Sequence, residues 1–173
     1  MSELRRRAAG EVAVPDEKAQ MSRALQAMEA QFALAMPKGA DAAQLVRDAM
    51  TVVSQTPGLL SCDRTTFLGG LMTIAQLGLR PGVLGHAWLI PFKGKAQLVI
   101  GYKGLVALAQ RSGLIASIQA RTVREGDEFS YAYGLSPRLD HVPGASRGKP
   151  VAYYATVTTT TGGTYFDVMV TVA

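Results

Sequence analysis

An α+β fold is the expectation for this chain, with N-terminal helices followed by a β-β-α-β core and a further antiparallel hairpin. Three observations predict it. Apolar residues recur at helical spacing before Pro81, and after Pro81-Gly82 the pattern changes to short segments bounded by glycine and proline. Near the end, Gly162-Gly163 separates two strand-like runs. The 173 residues are 48% apolar and 18% charged, enough for a globular domain with a hydrophobic core rather than wholesale disorder.

Residues 1–15 are charged, small and closed by Pro15, and are expected to form a disordered arm. A helical part is expected over 16–78 and the β-β-α-β core with its closing hairpin over 79–173. From Asp16, Met21, Leu25, Met28, Phe32 and Met36 form one helical stripe that Pro37 and Gly39 end. Asp41 caps a second helix, and Gln44 three residues later completes a capping box, with Leu45, Ala49 and Val52 facing inward. Pro57-Gly58 breaks it. A third helix runs from Ser61 or Asp63 through Phe67, Leu71 and Ile74 to Gly78 as its C′ residue. Inside it Gly69 and Gly70 each cost roughly 1 kcal/mol relative to alanine, which implies close packing of the backbone.

His86 to Phe92 and Ala96 to Ile100 read as strands joined by Lys93-Gly94-Lys95, with Pro91 marking an edge or a bulge. Tyr102 to Ser112 reads as a short helix with Leu105, Val106 and Ala109 inward. Ile115 to Val123 is a strand that places Ser117, Gln119, Arg121 and Val123 on one face. Phe129, Tyr131 and Tyr133 alternate on another strand and are expected in the core. Residues 134–150 read as a loop, and Val151–Thr160 with Thr164–Val172 as the closing hairpin.

Charge is unevenly distributed. Residues 62–124 carry Arg64, Arg80, Lys93, Lys95, Lys103, Arg111, Arg121 and Arg124 against Asp63 alone, while the flanking segments are neutral or acidic. Eight cations with one acid repel each other unless something negative sits against them. Set among apolar runs and glycines, they favour a polyanion partner, in particular a phosphate backbone, over a merely solvated face.

Catalytic signatures are scarce. There is no glycine-rich loop ending in Lys-Ser or Lys-Thr, and His86 and His141 show no metal-ligand spacing. No cofactor is therefore expected. Glu125, Asp127 and Glu128 keep open an alternative reading as a Mg²⁺-dependent nuclease, and a structural or assembly protein with a basic groove is a third class. Cys62 is the only cysteine, which fits a reducing cytoplasm, and no stretch is long and apolar enough for a membrane span.

One resemblance is specific. Leu77-Gly-Leu-Arg-Pro-Gly-Val-Leu-Gly-His-Ala-Trp-Leu-Ile-Pro-Phe92 is followed by Gln97-Leu-Val-Ile-Gly-Tyr-Lys-Gly104 and Leu108-Ala-Gln-Arg-Ser-Gly113. Then come Ala120-Arg-Thr-Val-Arg-Glu-Gly-Asp-Glu-Phe129, Gly134-Leu135 and His141-Val-Pro-Gly144. In this order the pieces, covering roughly residues 57–170, resemble the RecT family of phage recombinases. The resemblance implies ATP-independent binding and annealing of single-stranded DNA in a bacterial host's cytoplasm. It further implies a homo-oligomer, ring or filament, that also holds the annealed duplex. An exonuclease and the host single-strand-binding protein would be its partners. The DNA-binding residues expected are Lys93, Lys95, Tyr102, Lys103, Arg111, Arg121 and Arg124, with Arg80 and His86. Tyr102 is a candidate to stack on a base and, alternatively, a core tyrosine; His86 either meets phosphate or bonds within the core. Arg80 stands where the family often has an acid. The family usually continues with a basic helical region beyond the apolar strand Phe166–Val172, so the chain reads as lacking a C-terminal region.

Overall fold

The apolar stripe that opens the chain drives two helices, α1 (Glu17–Ala27) and α2 (Glu29–Ala35), in the computed structural model, which describes residues 17–145 and 148–171. Met21, Leu25 and Phe32 are buried as the stripe requires. The expected single helix is instead interrupted at Met28, whose amide is shared between the carbonyls of Ala24 and Leu25, both at 3.2 Å. The arm expected at 1–15 lies outside the described residues.

In α3 (Ala42–Gln55) the Asp41 carboxylate accepts the Gln44 amide at 3.1 Å, and Leu45, Ala49 and Val52 face the interior. The reciprocal half of the capping box does not form. Gln44 turns its side chain along the helix instead, donating through Nε2 to Asp48 Oδ1 at 2.7 Å and accepting from Arg47 at 2.9 Å. A 3₁₀ turn, Pro57–Leu59, leads to α4 (Arg64–Gln76), capped by Asp63 through the Thr65 amide at 2.9 Å. At its end Gly78 donates to the Ala75 carbonyl and Leu79 to the Ile74 carbonyl, the paired bonds of a Schellman stop.

Two strands follow, β1 (Ala87–Phe92) and β2 (Lys95–Ile100), paired antiparallel with Phe92 opposite Lys95. The turn is therefore Lys93-Gly94, one residue shorter than expected. Both residues have positive φ, 48° and 73°, the signature of a type I′ turn whose twist suits the strands. The hairpin forms its own two-stranded sheet and lays Ala87, Leu89 and Ala96 against α4. That contact accounts for Gly70: a Cβ there would lie 2.6 Å from Leu89 Cδ2, whereas Gly69 faces open space. Phe32, Phe67, Leu25, Leu45, Leu59, Leu71 and Ile74 are buried to within about 1%. Each contributes roughly 1.5–3 kcal/mol by leaving water.

The chain divides into two compact units, Met1–Leu105 and Val106–Ala173, and the boundary falls within α5 (Tyr102–Arg111). α5 buries Gly104 alone, and Leu105, expected inward, is 58% exposed. The second unit holds β3 (Ile115–Arg124), β4 (Glu128–Ala132), β5 (Arg138–Val142), β6 (Pro150–Thr159) and β7 (Thr164–Val170). The order β-β-α-β is present, but the strands do not share a sheet: β3 pairs with β6, and β6 with β7, all antiparallel. The closing hairpin around Gly162-Gly163 is formed as expected. β5 corrects the loop expected over 134–150; it pairs with β4, with His141 opposite Phe129.

Candidate nucleic-acid interface

In the first unit the hairpin tip is tied to the start of α4. Asp63 donates its amide to the Gly94 carbonyl at 2.8 Å, and the Ala96 amide donates to Thr66 Oγ1 at 2.9 Å. Lys93 and Lys95 consequently project from an anchored turn, both exposed, with Lys93 Nζ 5.2 Å from the centre of the Phe92 ring.

The segment Gly101-Tyr-Lys-Gly104 packs on the chain just before β1. Gly101 donates its amide to the His86 carbonyl at 2.9 Å. A Cβ at Gly104 would overlap the His86 carbonyl oxygen, and one at Gly101 would overlap that of Gly85. Both glycines are thus explained by protein backbone at close range. The packing turns Tyr102 and Lys103 outward; Tyr102 is 73% exposed, so it is not a core tyrosine. His86 is half-buried, and its Nδ1 is buried without a hydrogen-bond partner.

Arg80 differs from the other candidates. Its Nε and one terminal nitrogen donate to Asp48 at 2.6 and 2.9 Å, a bidentate pair onto a carboxylate 3% exposed. Burial pushes the Asp48 pKa up, but the hydrogen bonds from Arg80 and Gln44 and the charges of Arg80 and Arg47 outweigh it and hold the group below its ordinary value.

In the second unit Arg121, Thr122 and Arg124 of β3 line a polar cleft of about 520 Å³ with Asp127, His141, Pro143, Gly144 and Tyr154. Arg121 is exposed and donates to Gln119 Oε1 at 3.2 Å, confirming that the two share a face. Arg124 sits where the register to β6 shifts, and such a bulge re-aims a side chain; its guanidinium donates to the Gly148 carbonyl at 2.9 Å. Arg111 is exposed in the last turn of α5.

Asp127 organises this cleft. Oδ1 accepts the Gly144 amide at 2.8 Å, and Oδ2 accepts the Arg124 amide at 2.8 Å and lies 3.0 Å from His141 Nε2. The Gly144 bond first, then those from His141 and Arg124, pull its pKa down to about 2. Because an ionised carboxylate only accepts, His141 donates to Asp127 through Nε2, and its Nδ1 lies 3.0 Å from the Tyr154 hydroxyl. Asp127 is therefore a half-buried organiser of the cleft, and its lone pairs are largely taken.

Nothing in the sequence pointed to this pairing, because it depends on β5 lying beside β4. The tyrosines expected in the core instead form an outer aromatic ladder. Phe129 stacks on Tyr154 at 5.6 Å and Tyr133 on Phe166 at 5.2 Å, with Tyr131 between them, and Tyr131 and Tyr133 are 40% and 58% exposed.

Among the described residues no group of three or more His, Cys, Asp or Glu could hold a metal ion, and no helix is long and apolar enough to cross a membrane. The fold and these surfaces define an α+β protein with exposed, widely distributed cations. The RecT family profile matches residues 43–173, and the chain belongs to that family. It is 45% identical over 152 residues to Protein RecT of Escherichia coli (strain K12), an alignment covering 82% of this chain and 56% of that protein. A second relative, the Uncharacterized protein YqaK of Bacillus subtilis (strain 168), is 33% identical over 90 residues, 51% of this chain and 32% of its own length. The chain thus spans little more than half of the curated relatives' length at most.

Proposed function

We propose that this chain binds single-stranded DNA and anneals complementary strands without nucleotide hydrolysis, holding the strand by its phosphates. One observation carries the reading. Lys93, Lys95, Lys103, Arg111 and Arg121 are all exposed, in a stretch of sequence, residues 62–124, that has a single acid. Annealing requires a strand to be held while its base edges stay free, and phosphate contacts satisfy both demands because they carry no sequence information. Each unit contributes its own cations. Arg124 joins them at the cleft, whereas Arg80 is committed to Asp48 and acts as a structural cation.

Membership of the family supports the wider reading: a homo-oligomer on DNA, ring or filament, working beside an exonuclease that exposes the single strand and a host single-strand-binding protein. The nuclease alternative loses support, since a metal ion at Asp127 would have to displace the amides of Gly144 and Arg124.

Binding of a labelled oligonucleotide, followed by anisotropy across a salt series, tests the proposal. Six phosphate contacts give a log–log slope of about −4 for a single strand. Fluorescence pairing of two complementary oligonucleotides without ATP should accelerate on adding the protein. A salt-independent affinity, or no acceleration, overturns it.

A further inference from the structure

The β1–β2 hairpin has two faces, and only one is covered. Ala87, Leu89, Ala96 and Leu98 lie toward α4, while Trp88, Ile90, Phe92 and Val99 lie on the opposite side, 47%, 47%, 55% and 39% exposed. The register aligns them as a patch, with Trp88 opposite Val99 and Phe92 opposite Lys95. Four large apolar side chains in water on one small sheet face require an occupant.

We infer that this face is a stacking platform for the bases of a single strand, with Trp88 as its principal ring. The inference rests on the DNA-binding reading above and adds where the bases go. Charge identifies the occupant. Lys93 and Lys95 border the patch, Lys103 places its Cδ beside Gly85 on the flank where Trp88 also packs, and residues 64–124 contain no acid. A second copy of the chain seated symmetrically on this face would bring these lysines against their own equivalents. A nucleic-acid strand instead offers π faces to the rings and phosphates to the ammonium groups.

Positions for a Cβ on Gly85 and Gly101 lie 3.8 Å from Trp88 Cζ2 and 3.5 Å from its Nε1, so the indole edge runs close to two residues that carry no side chain. Trp88 and Phe92 stand four residues apart on one strand, roughly 13 Å, so they receive different bases. Stacking engages base faces and leaves Watson–Crick edges open to an incoming complement, which is what annealing needs.

Trp88 is the only tryptophan, so its emission reports on this face alone. Titrating the full chain with an oligothymidylate should quench that emission, whereas an abasic phosphodiester chain of equal length should bind without quenching. Trp88→Ala should weaken oligothymidylate binding roughly five- to hundredfold and leave the salt slope unchanged, and Trp88→Phe should restore part of the loss. Binding by anisotropy with no change in Trp88 emission overturns the platform and leaves the phosphate reading intact. Failure to bind either oligomer defeats both. A concentration-dependent blue shift without DNA, abolished by Phe92→Ala, assigns the face to a second copy and overturns the inference as well.

Discussion

The two units keep their shape by different means. The first is built around a dry interior: Phe32, Phe67, Leu25, Leu71 and Ile74 are all 0% exposed, and helices α1 to α4 supply most of the buried apolar residues. In the second, among the described residues, only Val123 and Ala152 count as buried apolar side chains. Its order comes from strand pairing, the aromatic ladder and the bonds converging on Asp127. Apolar burial is non-directional and carries no charge to titrate, whereas a polar network depends on protonation and on every partner being present. The first unit should therefore respond chiefly to cavities and the second to pH and to single polar deletions.

The largest expected effect tests the first half of that contrast. Phe67→Ala removes a ring at the centre of the helical unit and should cost about 3–5 kcal/mol, seen as a lowered denaturation midpoint. A loss below 1 kcal/mol would mean that the interior is not the dominant support. Next in size is Arg80→Ala. It strands the Asp48 carboxylate, 3% exposed, with Gln44 as its remaining side-chain partner, and should destabilise by about 3 kcal/mol while leaving the salt slope of DNA binding unchanged. A flattened slope with normal stability would instead place Arg80 on the DNA.

Asp127 sharpens the comparison by pH. Its folded pKa of about 2 lies below the ordinary carboxylate value. Its stabilisation is thus fully present above about pH 4 and disappears as pH falls through the folded value. Near-ultraviolet circular dichroism, dominated in the second unit by tyrosine, should lose signal over that acid window. Asp127→Ala should show the loss already at neutral pH. A variant as acid-resistant as the parent would remove the network from the account. The smallest effect expected is Lys103→Ala: a salt slope flatter by roughly 0.7, with the denaturation midpoint unmoved.

How much of this could be read in advance varied by element. The Asp41 cap and the stop at Gly78 were legible, and Asp63 was one of two candidate starts for α4, since each depends on residues within one turn. The candidate cations were legible as a charge excess, and Lys93, Lys95 and Lys103 are exposed, but their environments were not legible. Ala87–Phe92 is apolar in both phases, so alternation could not reveal which side of the hairpin faces water. β5 was hidden because five residues between turn-forming segments become a strand only by pairing with β4.

Local chemistry in the sequence alone determined a helical first part followed by strands, the start of α3 and the stop of α4, and the concentration of positive charge in the middle of the chain. Those features depend on neighbours a few residues apart. Only the tertiary structure decided that Arg80 spends its charge on Asp48, that Gly101 and Gly104 yield to the backbone of Gly85 and His86, and that Asp127 meets His141. Each of these joins residues distant along the chain, and such contacts are set by packing and strand register, which no local period encodes.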